Sequence, residues 1–384
     1  MKRFKKQIAA HLYAVFVLLT FFAFMSGCAK KEVEEIKIGV ILPLTGDLAN
    51  FGRTVLNGIE LAMGDFSSTN RTRKIVLEVE DSQGRPSVAV SALRRLIDFE
   101  SVRIVIGSLT SSSTLAMAPI AEEKRVILLS PTASHPALSK AGPYFYRVWP
   151  SDDFDGSVAA RYSYDVLGAR NTGIVHLNDD YATGLKNIYQ RTFEHLGGRV
   201  LSIESYDESE TDFRTILTKL KALPLDIIYI PGHPYGIGQL ARQAKELNIQ
   251  SEFLANVAAE DKDFLSVAGD AAVGMYFTAP TFSMSTADSL VNGFVAAYIE
   301  RFKDEPDIHA LKGYEAASVL LSAISEGNVD SDAIRIYIDR KKVFRFDTEI
   351  LVFDAVGDVL TSISIKQYQQ NGAIRTVDTI QPSG

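Results

Sequence analysis

The sequence predicts an α/β protein built as two doubly wound, Rossmann-like lobes, and three observations carry that prediction. Short β-branched apolar runs, such as Ile36, Ile38, Val40 and Ile41, recur along the chain. Each is followed by a turn and then by apolar residues at helical spacing, the pattern of βαβ units on a parallel sheet. The alternation breaks at residues 144–156, where Pro150 and three aspartates intervene, and then restarts. At 384 residues, 46% hydrophobic and 23% charged, the chain can bury cores of that size.

The first unit is residues 36–63: a buried strand, a turn around Pro43, Gly46 and Asp47, and a helix marked by Val55, Leu56, Ile59 and Met63. In open α/β sheets ligands sit beyond the carboxyl ends of strands, so the loop at 42–53 is a first candidate site. Residues 75–81 read as a strand, 88–99 as a helix, 102–108 as a strand and 126–138 as a further strand and loop. The second half repeats the grammar, with strands at 171–179, 199–206, 226–232, 251–256 and 273–280 and helices at 181–196, 212–223 and 238–247. Residues 281–285 read as a second crossing between lobes. Helices follow at 290–302, 313–326 and 331–341, and closing strands flank the Gly357-Asp358 turn.

The N-terminus reads as a targeting segment. Lys2, Arg3, Lys5 and Lys6 form a basic start, residues 14–25 an apolar stretch, and Met25-Ser26-Gly27-Cys28 a small-residue end. The apolar stretch falls short of the roughly 20 residues a membrane span needs. Cys28 is the chain's one cysteine, which excludes an internal disulfide and suits a lipid-modified N-terminus on the bilayer. The formal net charge of −7, more acidic still without the leader, argues against nucleic acid as a partner.

Enzyme signatures are absent. The histidines His11, His135, His176, His195, His233 and His309 show no metal-ligand spacing and read as loop or surface residues. No phosphate loop, nucleophile elbow or dinucleotide fingerprint occurs, so neither metal nor cofactor is expected. What remains is polar loops at strand ends. Ser111, Ser112 and Ser113 lie where a helix begins, so hydroxyls and free N–H groups can converge on an anion such as a carboxylate, although one of them could equally serve only as a cap. Thr132, Ala133 and Ser134 offer a second such loop on the neighbouring strand.

The ordered series GVILPLTGDLANFG, IGSLTSSST, LLSPTASHPAL, YRVWPSDDFDG, LNDDYATG and the FD-x-x-GD pattern at 353–358 resembles the substrate-binding lipoproteins of branched-chain amino-acid ABC transporters. The resemblance covers residues from about 36 to the end. It implies a type I periplasmic-binding-protein fold, two lobes joined by three crossing strands and closing on a small-molecule ligand, with an ABC permease as partner and a monomeric state. It places α-carboxylate contacts on Ser111 and the 132–134 loop, and pocket aromatics at Phe51, at Tyr181 and in the loop of Tyr235. The implied organisation is leader 1–27, anchor and tether 28–35, lobe 1 at 36–150 and 281–330, and lobe 2 at 151–280 and 331–384. One position departs from the family pattern. The acidic residue that receives the ligand's ammonium falls on Val257, leaving Asp179, Asp180, Glu260 or Asp261 as substitutes, or a ligand without an amine. The same fold could also serve a ligand-sensing or structural lipoprotein that transports nothing.

Overall fold

The structure, a computed structural model, describes residues 34–69, 73–281, 289–346 and 350–382. The leader, Cys28 and residues 282–285 of the expected second crossing lie outside the described residues.

In the first lobe β1 (Glu34–Leu42), β2 (Arg73–Asp81), β3 (Ile104–Gly107), β4 (Ile127–Ser130) and β5 (Phe145–Arg147) form a parallel sheet in the order β2-β1-β3-β4-β5. Helices α1 (Ala49–Thr69), α2 (Pro86–Asp98) and α3 (Ser111–Lys124) connect the strands. The pleat sends Ile36, Ile38 and Val40 to one face, against α1, and Ile41 to the other, against α2 and α3. Both faces are covered, which is why β1 reads as a nearly unbroken apolar run.

The chain crosses at 148–151 into the second lobe: α4 (Asp152–Arg161), β6 (Asn171–Leu177), α5 (Asp180–His195), β7 (Arg199–Tyr206), α6 (Arg214–Lys221), β8 (Ile227–Ile230), α7 (Pro234–Glu246), β9 (Glu252–Ala255), α8 (Lys262–Ala268) and β10 (Tyr276–Pro280). It then returns to α9 (Ser289–Phe302), α10 (Ile308–Ser325), α11 (Ser331–Lys341), β11 (Val343–Arg345) and β12 (Ile350–Val352). The last strands are β13 (Ile363–Tyr368) and β14 (Ile374–Ile380). The second sheet has the order β14-β13-β10-β9-β8-β6-β7, with every pairing parallel except β10–β13 and β13–β14.

Residues 331–359 correct the expected lobe boundary. Ile334 and Ile338 of α11, Phe344, Leu351, Phe353 and Val359 bury in the first lobe's core with Tyr146, Ile127 and Ile106. The third crossing is therefore at 360–362, and beyond it β13 and β14 join the second sheet. An amphipathic helix and a short hairpin fit either lobe by pattern alone; the open apolar face above β1 and β4 decides.

The helices α1 and α10 meet through glycine. A Cβ on Gly58 would lie 1.9 Å from the Ala310 carbonyl oxygen, and one on Gly313 2.2 Å from that of Val55. This close approach sets Phe51, on the first turn of α1, beside His309 on the first turn of α10. Gly313→Ala is expected to destabilise the protein by about 1–3 kcal/mol through forced helix separation. Gly293→Ala, within α9 and with open space around its Cβ, is expected to be neutral or to stabilise by up to about 1 kcal/mol. Urea unfolding of the two variants checks the contrast; equal losses would contradict it.

Candidate functional site

The C-terminal ends of both sheets face each other across a cleft containing a cavity of about 80 Å³, room for on the order of five waters. The first lobe contributes Leu48, Phe51, Leu109, Thr110, Ser111, Thr132, Trp149 and His309; the second contributes Asp179, Tyr181, His233, Pro234, Val257 and Ala258. A larger depression of about 460 Å³ around Lys140, Asp339 and Lys342 lies on the outside of the first lobe, away from these strand ends.

The polar end of the cleft is the start of α3. Thr110 caps the helix, its Oγ1 accepting from the Ser113 N–H at 3.3 Å. The N–H groups of Ser111 and Ser112 have no intrahelical acceptor, as at any helix start. Ser111 Oγ accepts from the backbone N–H of Ser134 at 3.3 Å and of His135 at 3.2 Å. Its lone pairs are engaged, so its proton is free to donate into the cleft. Helix start and hydroxyl together suit one carboxylate. Thr132 is different: its Oγ1 donates to the Leu109 carbonyl at 2.8 Å, so toward the cleft it offers an acceptor.

An aromatic wall continues from there. Phe51 packs on the His309 ring at 4.7 Å between centroids, and Trp149 stacks on the same ring at 5.7 Å and 23°. Asp307, the N-cap of α10, faces His309 Nδ1 at 3.4 Å. Burial pushes the Asp307 carboxyl up, but the His309 charge and hydrogen bonds outweigh it and hold the pKa below its ordinary value.

On the second lobe Tyr181, in the first turn of α5, accepts at its hydroxyl from Asn256 Nδ2 at 2.7 Å. Asn256 also pairs with both backbone groups of Gly232, fixing the loop that carries His233. His233 sits between two carboxylates, Nδ1 at 2.9 Å from Glu208 and Nε2 at 3.5 Å from Asp179. Burial lowers its pKa, but the Glu208 hydrogen bond and the two negative charges raise it net. Asp179 is pushed up by burial, with His233 pulling it back, and its Oδ1 caps α5 through the Ala182 N–H at 2.7 Å. Asp179, the one carboxylate lining the cleft among the described residues, is thus already partnered.

Beside Tyr181 and the 132–134 loop, at the first turn of α4, lies a buried polar cluster, the α4 chamber, whose groups act on one another electrostatically. Asp152 and Asp155 are 1% and 4% exposed, and Asp152 Oδ2 and Asp155 Oδ1 have no hydrogen-bond partner among the described residues. The hydroxyls of Ser134, Tyr229 and Thr278 are likewise buried and unpartnered. Ser134 stands beside Asp152, and Thr278 beside Asp155, near enough to favour the carboxylates without reaching hydrogen-bond geometry. Burial dominates: Asp152 is held well above 3.8, and Asp155 is pushed up to about 6.

The folded state thereby favours neutral Asp155, so this group's stability is full below pH 3.8 and is lost as pH rises through about 6. Asp155→Asn, which cannot ionise, is expected to gain about 3 kcal/mol over the parent at pH 7.5 and almost nothing at pH 4. Urea unfolding at the two pH values measures this; an equal gain at both would contradict it.

The structure gathers Phe51, Ser111, Thr132, Tyr181 and Val257 around the cavity and leaves out four residues expected there. Ser112 is half-buried on α3 and outside the lining. Ala133 is in the core, its N–H donating to Ser130 Oγ at 3.0 Å. Ser134 turns its hydroxyl to the chamber. Tyr235 is exposed on α7 with its hydroxyl accepting from Gln239 at 3.0 Å; its neighbours His233 and Pro234 line the cleft instead. Of the substitute acids, Asp180 is exposed, Glu260 pairs with Lys366 at 2.6 Å, and Asp261 caps α8. His233 and His309, expected as bland loop residues, are lining residues, as is Trp149, for which the sequence predicts no role. The available signals were position alone: His233 follows β8, and Trp149 lies in the first crossing. No group of three or more His, Cys, Asp or Glu placed to hold a metal occurs among the described residues.

Two α/β lobes, three passages between them and a cleft at facing strand ends define a two-lobed binding protein. The family model "Periplasmic binding protein" matches residues 35–348. A leucine-binding protein of Thermotoga maritima superposes with a TM-score of 0.84 at 31% identity, over 90% of this chain and 99% of that one. A Leu/Ile/Val-binding protein of Rhizobium johnstonii is 29% identical over 342 residues, 87% of this chain and 91% of its own length. A Rhodopseudomonas palustris solute-binding protein in complex with benzoate shares the fold, with a TM-score of 0.81 at 18% identity over 91% and 97% of the two chains. This chain belongs to the periplasmic binding protein family, among the substrate-binding proteins of branched-chain amino-acid ABC transporters. It is an extracytoplasmic solute-binding protein that serves an ABC permease.

Proposed function

We propose that the protein binds a small carboxylic acid with an aliphatic side chain, of the kind represented by leucine, and releases it unchanged to the permease. The observation that carries this reading is the pairing at the cleft's polar end: a free Ser111 O–H and the open N–H groups of α3 beside walls of Leu48, Leu109, Val257 and Phe51. The names of the Thermotoga and Rhizobium relatives support the aliphatic class.

The first lobe receives the carboxylate, and Tyr181, His233 and Val257 of the second close over it, so closure is favoured only with ligand present. No reacting group is assigned, and the protein acts as a binder and not an enzyme. The small-residue sequence ending at Cys28 supports attachment to the membrane by a lipidated Cys28 after removal of residues 1–27, and the family resemblance implies a monomer.

A thermal-shift panel of branched-chain amino acids, other amino acids, their deaminated acids, aromatic acids and short amides tests the reading, since a ligand selective for the folded state raises the melting temperature. An aliphatic acid is expected to give the largest shift, and Ser111→Ala to weaken its binding by about 1–3 kcal/mol. A panel in which only amides respond, or an affinity unchanged by Ser111→Ala, would overturn it.

A further inference from the structure

The cleft poses an electrostatic problem for any ligand that carries an amine. An ammonium group buried without a counter-charge is costly by several kcal/mol, and the expected acidic position is occupied by Val257, 9% exposed. Asp179 is committed to His233 and to the cap of α5. Glu260 is held by Lys366.

The chamber under α4 has the complementary deficiency. It holds two buried carboxyls and three hydroxyls with unpartnered oxygens, and no cation faces it at contact distance among the described residues. Arg147 is the nearest guanidinium acting on Asp152, and it is engaged bidentately by Asp358.

Strand register puts these groups together. Tyr229 pairs with Leu254, and Leu254 with Tyr276, so Tyr229, Asn256 and Thr278 share one face of the second sheet at its C-terminal end. Helix α4 packs on that face through Ala159 and Ala160, which brings its first turn, with Asp152 and Asp155, over these strand ends. The first lobe supplies the remaining wall: the Asp152 N–H donates to the Ser134 carbonyl at 2.9 Å. The chamber is therefore shared between the lobes. Tyr181 lines the cleft and also lies near Asp152 and Asp155, and Thr132, two residues before Ser134, presents an acceptor and not a donor to the cleft.

We propose that this chamber is the ammonium subsite: Asp152 is the counter-charge for the amine of an α-amino-acid ligand, with Thr132 Oγ1 as a second acceptor. The carboxylate end lies at Ser111 and the ammonium end one loop away, on the side of the 132–134 loop facing α4. The subsite replaces the acid missing at Val257 and makes the protein selective for amino acids over their deaminated counterparts. Asp155, beside Thr278, adds negative potential at Asp152 above about pH 6.

This inference rests on the carboxylate reading above, and one titration series separates the two. L-leucine and 4-methylpentanoate, its counterpart without the amine, are titrated calorimetrically into the full-length protein and into Asp152→Asn and Asp179→Asn, each first shown to melt cooperatively. Asparagine keeps the shape of Asp152 without its charge. The parent is expected to bind leucine roughly 10–100-fold more tightly than 4-methylpentanoate. Asp152→Asn is expected to erase that ratio by weakening leucine alone, while Asp179→Asn preserves it.

Equal binding of the two acids by the parent overturns the subsite and leaves the carboxylate reading standing. So does a preference that survives Asp152→Asn, or one that disappears instead in Asp179→Asn. Binding of neither acid overturns the aliphatic-acid reading and the subsite together.

Discussion

The structure turns on one buried ion pair, Arg147 with Asp358. Arg147 is wholly buried, with Nε and Nη2 donating to the two carboxylate oxygens at 2.7 Å each. Nη1 donates to the His135 carbonyl at 3.1 Å, and Ser139 Oγ bridges Nη2 and Asp358 at 2.8 and 2.6 Å. Such a bidentate pair is geometrically demanding, and either charge left alone at this depth would be costly. Arg147 ends β5 just before the first crossing, and Asp358 lies two residues before the third. The Arg147 N–H also donates to the Gly357 carbonyl at 3.1 Å. Two of the three passages between lobes are thereby held at one point, and the same guanidinium fixes the loop whose N–H groups orient Ser111.

From that point the division of labour follows. The first lobe is prearranged: the 130–139 loop is tied to Arg147, Ser111 is aimed by two backbone donors, and Phe51, His309 and Trp149 stack into a wall. Prearranged contacts bind well because little ordering remains to be done. The second lobe brings groups organised among themselves, with Asn256 joining Tyr181 to the 231–233 loop and His233 joining Asp179 to Glu208. Each half is thus tied together by its own contacts, and the crossings at 148–151 and 360–362 join the two.

Much of this was legible in the sequence, and the limits were physical. The β1–α1 unit declared itself through β-branched residues followed by helical spacing, and Ser111 through a hydroxyl run at a strand-to-helix junction. Tyr235 failed because a loop pattern does not state which of three consecutive residues a helix start turns inward; Pro234 and His233 face the cleft. The lobe of residues 331–359 and the roles of Trp149, His309 and Asp152 were not legible because each depends on contacts between residues far apart in the chain. Asp152 and Asp155 read as a polar crossing, whereas the fold buries them under α4. The terminal FD-x-x-GD pattern signalled a turn, but its aspartate matters through Arg147, more than 200 positions earlier.

The central claim is that the two lobes close on a ligand. Double electron–electron resonance between spin labels at Phe99 of the first lobe and Val166 of the second, both exposed, measures it directly, in a chain whose Cys28 is replaced. With the compound that most stabilises the protein, the account predicts that a broad distance distribution collapses to one narrow, shifted population. The same distribution with and without that compound would contradict closure and leave a rigid cleft in its place.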